Sequence, residues 1–117
     1  MSDDEIRYST ISRSTAVSGR TITSARNNHV VIDSPSGPNE AMTTGEAFAA
    51  GIAACGVTLV QSIAKERSIA VGPLSCEIAV VRKKSKPEDI SRLEVRYVFD
   101  QLDRQQATEL VEGWRSR

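Results

Sequence analysis

The sequence predicts an α+β fold with elements in the order βββ-α-ββ-α, and three observations carry that expectation. A charge-free apolar stretch, AFAAGIAACGVTLV from Ala47 to Val60, lies in the middle of the chain. Short runs rich in Ile, Val, Thr and Tyr stand on both sides of it, separated by turn residues. The strand-like and helix-like segments are grouped rather than alternating, which separates α+β from α/β. A chain of 117 residues is expected to form one domain, residues 1–117, with a modest core.

The elements follow in order. Residues 5–17, EIRYSTISRSTAV, alternate imperfectly and read as a strand. Ser18-Gly19 is a turn, and Arg20 to Ala25 is a second strand. Arg26-Asn27-Asn28 forms the next turn, because Asn tolerates positive φ. His29 to Asp33 is a third strand, and the Pro/Gly loop from Ser34 to Met42 leads out of the meander.

Thr43 to Ile69 is the central helix. Phe48, Ile52, Cys55, Leu59 and Ile63 share one face by their spacing, and small residues cover most of the rest. A helix apolar nearly all round is expected to be buried, here against an antiparallel sheet. Its charge-free run is shorter than the roughly 20 residues a bilayer span needs. Thr43 or Thr44 suits the N-cap, and Glu46 suits the first turn, where the helix dipole favours a carboxylate.

Val71-Gly72-Pro73 ends that pattern. Leu74 to Val81 is a strand, Arg82 to Pro87 a solvated basic turn, and Ser91 to Asp100 a strand. In the last, Leu93, Val95, Tyr97 and Phe99 alternate onto one side. Asp103 caps a final helix whose inner face carries Ala107, Leu110, Val111 and Trp114.

Composition narrows the function. The formal net charge is zero, so neither nucleic acid nor an anionic membrane is an expected partner. The acidic, polar N-terminus is not a signal peptide, and a cytoplasmic location is expected. With one His and two Cys, neither a protein zinc site nor a secreted disulfide framework is expected, and no cofactor is expected.

Cys55 is either a small hydrophobe in a crowded helix or a reactive thiol. Reactivity needs a nearby positive charge, and no Lys or Arg lies within two helical turns of it in sequence. Cys76 reads as a strand residue filling a sheet–helix interface, and His29 as a surface residue after a turn. Arg20 and Arg26 flank turns and are surface residues unless aimed at a pocket. Glu46 either serves its helix terminus or orients an arginine through a bidentate pair.

Two segments together resemble the OsmC/Ohr family: Asn28-His29-Val30-Val31-Ile32-Asp33-Ser34-Pro35, and Thr44-Gly45-Glu46-Ala47-Phe48 continuing through Ala49 to Cys55. Lys65 to Ile69 and the strand from Leu74 extend the likeness. The resemblance implies an intertwined homodimer whose central helices pack back to back. It implies thiol-dependent reduction of organic hydroperoxides, with an external thiol as reductant. Cys55 would then be the nucleophile, Arg20 (or Arg26) would stabilise its thiolate, and Glu46 would hold the arginine. Two departures stand out. Thr44 replaces the proline before the family glutamate, and the family's second cysteine would fall at about the point where this sequence ends, followed by a further helix and strand.

Two functions follow: an OsmC-like hydroperoxide reductase, or a dimeric binding module that keeps an apolar pocket without turnover. Without a well-placed second thiol, oxidised Cys55 is expected to stop as a sulfenic acid. Only a strand packed over that helix turn, with Cys76 facing it, would change this.

Overall fold

A computed structural model describes residues 4–116. The elements are β1 (Ile11–Ser14), β2 (Arg20–Ala25), β3 (Asn28–Asp33), α1 (Thr44–Glu66), β4 (Leu74–Val81), β5 (Arg92–Phe99) and α2 (Arg104–Arg115). This is the α+β order the sequence predicts. The strands form two sheets, however, where one was expected: β1-β2-β3 and β4-β5. The chain divides into two compact units, Met1–Ala47 and Phe48–Arg117, with the boundary within α1.

In the first unit the three strands form an antiparallel meander. Residues 5–10 were expected to extend β1, but pairing begins at Ile11, opposite Ser24. The partner strand ends at Ala25, so earlier residues have no ladder to join. Gly19 takes φ +82, and its Cα lies against Gly37 so closely that a Cβ there would stand 2.8 Å from the Gly37 Cα. In the second turn Arg26, not an Asn, takes the positive φ of 57. The apolar residues of this unit are mostly exposed; Asp33, at the end of β3, is buried.

The start of α1 is fixed by a reciprocal cap. Thr43 Oγ1 accepts the Glu46 N–H at 3.3 Å, and Glu46 Oε1 accepts the Thr43 N–H at 2.9 Å. At its other end Ser68 takes φ 55, and the Ile69 N–H returns to the Ala64 carbonyl at 2.8 Å, a Schellman-type stop.

The second unit holds the core. Val60, Ile63 and Ala64 of α1 and Leu110 of α2 are buried together, with Leu74, Phe99 and Trp114 packed around them. Asp103 caps α2 by accepting the Gln106 N–H at 2.8 Å, as its sequence position predicts.

Within this one chain the helix is only partly buried. Its buried residues are Gly56, Val60, Ile63 and Ala64, while Phe48 is 50% exposed and Cys55 is exposed. In its own unit one hairpin and one shorter helix cover only part of it. The span estimate also changes. The helix runs 23 residues and holds an 18-residue stretch of mean hydropathy 1.8, long and apolar enough to cross a membrane by length and composition alone. The stretch counted from Ala47 to Val60 understated it, because Gln61, Ser62, Ile63 and Ala64 continue the helix without charge as far as Lys65.

Candidate functional site

Cys55 and Leu59 stand one helical turn apart on α1 and open onto a cavity of about 500 Å³. Val95 from β5 and Trp114 and Arg115 from the last turn of α2 complete its lining. The thiol thus meets three apolar walls and one guanidinium. Arg115 also lies 3.5 Å from Glu112 and is largely exposed.

A second groove of about 540 Å³ shares Val95, Trp114 and Arg115 with that cavity. Its floor is Leu93, Val95, Tyr97 and Phe99, the set that the two-residue period of β5 places on one side. Tyr97 stacks on Phe99 at 5.8 Å between ring centroids and meets Trp114 edge-on at 5.3 Å. These contacts fix the aromatic wall.

Beside the cavity, β4 lies directly over the helix turn that carries Cys55. Cys76 and Tyr97 are cross-strand partners, and both side chains end at Gly56. A Cβ on Gly56 would stand 2.7 Å from the Tyr97 hydroxyl and 3.1 Å from the Cys76 sulfur. Glycine is what allows this approach. The Tyr97 hydroxyl is buried and makes no hydrogen bond of good geometry among the described residues. The thiol beside it is a weak partner. Burial, and then Cys76, push the Tyr97 hydroxyl well above the ordinary phenol range. Burial pushes the Cys76 thiol up, against a smaller lowering from Tyr97.

Cys76 therefore fills a sheet–helix interface, as its pattern predicts. Its sulfur lies against Gly56, the residue that follows Cys55. The condition for an approach, a strand packed over that turn with Cys76 facing it, is the one observed.

Arg20 belongs to the first unit. Its Nε donates to Asp33 Oδ1 at 2.8 Å and its Nη2 to Asp33 Oδ2 at 2.9 Å, with Glu40 Oε1 at 3.4 Å. Asp33 also accepts the N–H groups of Glu40 and Ala41, both at 2.9 Å. The Arg20 hydrogen bonds come first among the causes that hold the Asp33 carboxyl well below the ordinary carboxylate range. The expected arginine partner was Glu46. Among the described residues Glu46 shares no ion pair with Arg20, because its carboxylate is occupied by the Thr43 N–H, which also lowers its pKa. Arg26 is exposed in its turn, and His29 Nδ1 lies 2.7 Å from Ser24 Oγ.

Sequence reasoning missed Asp33 as the arginine's partner and Trp114 and Arg115 as walls of the thiol cavity. A carboxylate closing an apolar strand was a visible signal for the first. Nothing local in α2 signalled the second, since the cavity forms only when three elements meet.

An α+β chain with a thiol midway along its longest helix, opening on an apolar cavity, is the class that fold and site define. The model of the OsmC-like protein family matches residues 37–117, and the chain belongs to that family. Among solved structures, an OsmC-like protein from Mycoplasma pneumoniae is 12% identical with a TM-score of 0.80, covering 92% of this chain and 79% of that one. An organic hydroperoxide resistance protein OsmC from Legionella pneumophila is 22% identical with a TM-score of 0.64, covering 92% and 82%. The organic hydroperoxide resistance protein OhrB of Bacillus subtilis is 19% identical with a TM-score of 0.59, covering 92% and 82%. At these identities the likeness shows the fold. No curated protein matches the chain.

Proposed function

We propose that this protein is a thiol-dependent peroxidase that reduces organic hydroperoxides and serves defence against oxidative stress. The observation that carries the reading is the exposed Cys55 thiol at the mouth of an apolar cavity continuous with the β5–α2 groove. Family membership and the names of its structural neighbours support it.

In the proposed reaction the Cys55 thiolate attacks the terminal peroxide oxygen. The O–O bond breaks, Cys55 becomes a sulfenic acid, and the departing alkoxide takes a proton to leave as an alcohol. An external thiol returns the sulfur to its reduced state. Leu59, Val95 and Trp114 suit an alkyl or lipid-like chain better than hydrogen peroxide. Arg115, on the cavity wall, supplies positive charge to the thiolate, and Arg20 is the second candidate for that role. The working form is a homodimer in the cytoplasm; exposed Phe48, Leu93, Val95 and Val98 are apolar surface for a second copy to cover. Light scattering that finds a stable monomer at micromolar concentration would remove the dimer.

The test is consumption of cumene hydroperoxide and of hydrogen peroxide with dithiothreitol as reductant. Turnover is expected with a preference for the organic peroxide, and Cys55→Ser is expected to abolish it. A wild-type rate equal to the protein-free control, or an unchanged rate in Cys55→Ser, overturns the proposal.

A further inference from the structure

We propose that Arg104 is a specificity-determining residue, which holds the carboxylate head of a long-chain hydroperoxide at the far end of the β5–α2 groove. The inference rests on the reading of Cys55 as the peroxide-reactive thiol, and adds to it a head-group anchor and a preferred spacing. Arg104 takes no part in breaking the O–O bond. Three observations carry the assignment.

The first is an open cation at one end of an apolar trough. Arg104, the first residue of α2, lines the groove of about 540 Å³ together with Phe99 and Ala107. It is exposed and shares no ion pair among the described residues. The adjacent acid, Asp103, is turned to the helix backbone, where it accepts the Gln106 N–H at 2.8 Å. The cation at the other end is already engaged, since Arg115 lies 3.5 Å from the Glu112 carboxylate. An anionic head therefore finds its free partner at Arg104. A guanidinium can meet both oxygens of a carboxylate through parallel hydrogen bonds.

The second is what lies between the two arginines. Val95, Tyr97 and Phe99 from β5 face Ala107 and Val111 from α2 across the groove. The aromatic rings are held in place by their contacts with one another and with Trp114. Such a trough suits hydrocarbon, and the hydrocarbon needs no rearrangement of the wall to lie in it.

The third is spacing. The groove shares Val95, Trp114 and Arg115 with the cavity onto which Cys55 opens, so the thiol stands at the end opposite Arg104. From Arg104 to Arg115 the helix rises about 16 Å. An extended hydrocarbon chain advances about 1.3 Å per carbon, so about twelve carbons separate the bound head from the peroxide. A peroxide much nearer its carboxylate does not reach Cys55 while the head stays on Arg104.

Two arms on the full chain test this. Trp114 is the only tryptophan in the sequence and lines the groove, so its fluorescence reports binding without any peroxide. In the first arm decanoate and decanol are titrated below their micelle-forming concentrations. Decanoate is expected to bind about two- to fivefold more tightly, the range of an exposed ion pair. The preference is expected to vanish in Arg104→Gln, to be largely kept in Arg104→Lys, and to fade in about 1 M salt. Equal binding of the two ligands by wild type, or a preference that survives in Arg104→Gln, overturns the anchor whatever the peroxide chemistry. The second arm compares turnover of two hydroperoxides of octadecadienoate with dithiothreitol, one with the peroxide on the thirteenth carbon and one on the ninth. The first is expected to have the higher kcat/KM, through KM rather than kcat, and the difference is expected to narrow in Arg104→Gln. Equal kcat/KM for the two isomers in wild type overturns the spacing. A carboxylate preference with no turnover of any hydroperoxide removes the peroxidase reading and leaves the Arg104 anchor supported.

Discussion

The guanidinium of Arg20 grips the carboxylate of Asp33 through two parallel hydrogen bonds, 2.8 Å and 2.9 Å long, at the end of β3. The fork geometry matches the two oxygens. Asp33 is buried, so its charge depends on this partner and on the Glu40 and Ala41 N–H groups. The pair joins the edge of the first sheet to the loop that leads into α1.

A pH dependence follows from that pair. The folded Asp33 pKa is depressed, so its contribution is fully present above the unfolded value, about 3.9. It is lost as pH falls from there through the folded value. Asp33→Asn is expected to lower the melting temperature at neutral pH, because it leaves Arg20 without its carboxylate. The gap to wild type is expected to shrink as pH falls from about 5 to about 2. A gap constant across that range would show that the carboxylate's charge is not what matters.

Position 56 is expected to reject a side chain. A methyl group there would stand 2.7 Å from the Tyr97 oxygen and 3.1 Å from the Cys76 sulfur. Overpacking costs about 1–3 kcal/mol, against about 1 kcal/mol gained in helix propensity, so Gly56→Ala should be neutral to destabilising by about 2 kcal/mol. Adding Tyr97→Phe removes the nearer atom and should recover part of the loss. Urea denaturation of the single and double variants measures the coupling, and strict additivity would argue against a contact at this point.

Arg115 is expected to govern the reactivity of Cys55. Being largely exposed, its influence is screened, so Arg115→Ala should slow iodoacetamide alkylation of Cys55 at neutral pH by about two- to fivefold. The difference should fade in about 1 M salt. Running Arg20→Ala beside it identifies which arginine acts. A slower rate only in Arg20→Ala would return the role to the arginine that the sequence resemblance favours.

The core prediction is simpler. Leu110 is completely buried against Val60 and Ile63. Leu110→Ala is expected to destabilise the second unit by about 2–5 kcal/mol, read from the shift of the denaturation midpoint at constant slope.

Much of the fold was legible in local pattern. The two-residue alternation through Leu93, Val95, Tyr97 and Phe99 located β5 and the face it turns to the groove, and Asp103 marked the start of α2. Thr43 and Glu46 marked the start of α1, because capping depends on residues three positions apart. The central thiol and its family likeness were visible for the same reason: they lie along one continuous stretch. What only tertiary structure decided was non-local. It gave Arg20 to Asp33 rather than Glu46, because a strand register sets which side chains meet. It brought Trp114 and Arg115 to Cys55 across three elements, and it laid Cys76 on Gly56, since glycine's lack of a side chain gains meaning only when another chain segment approaches it. It also showed which part of an apolar helix this chain covers by itself, a question of how much surface the remaining elements can bury, which no periodicity within the helix contains.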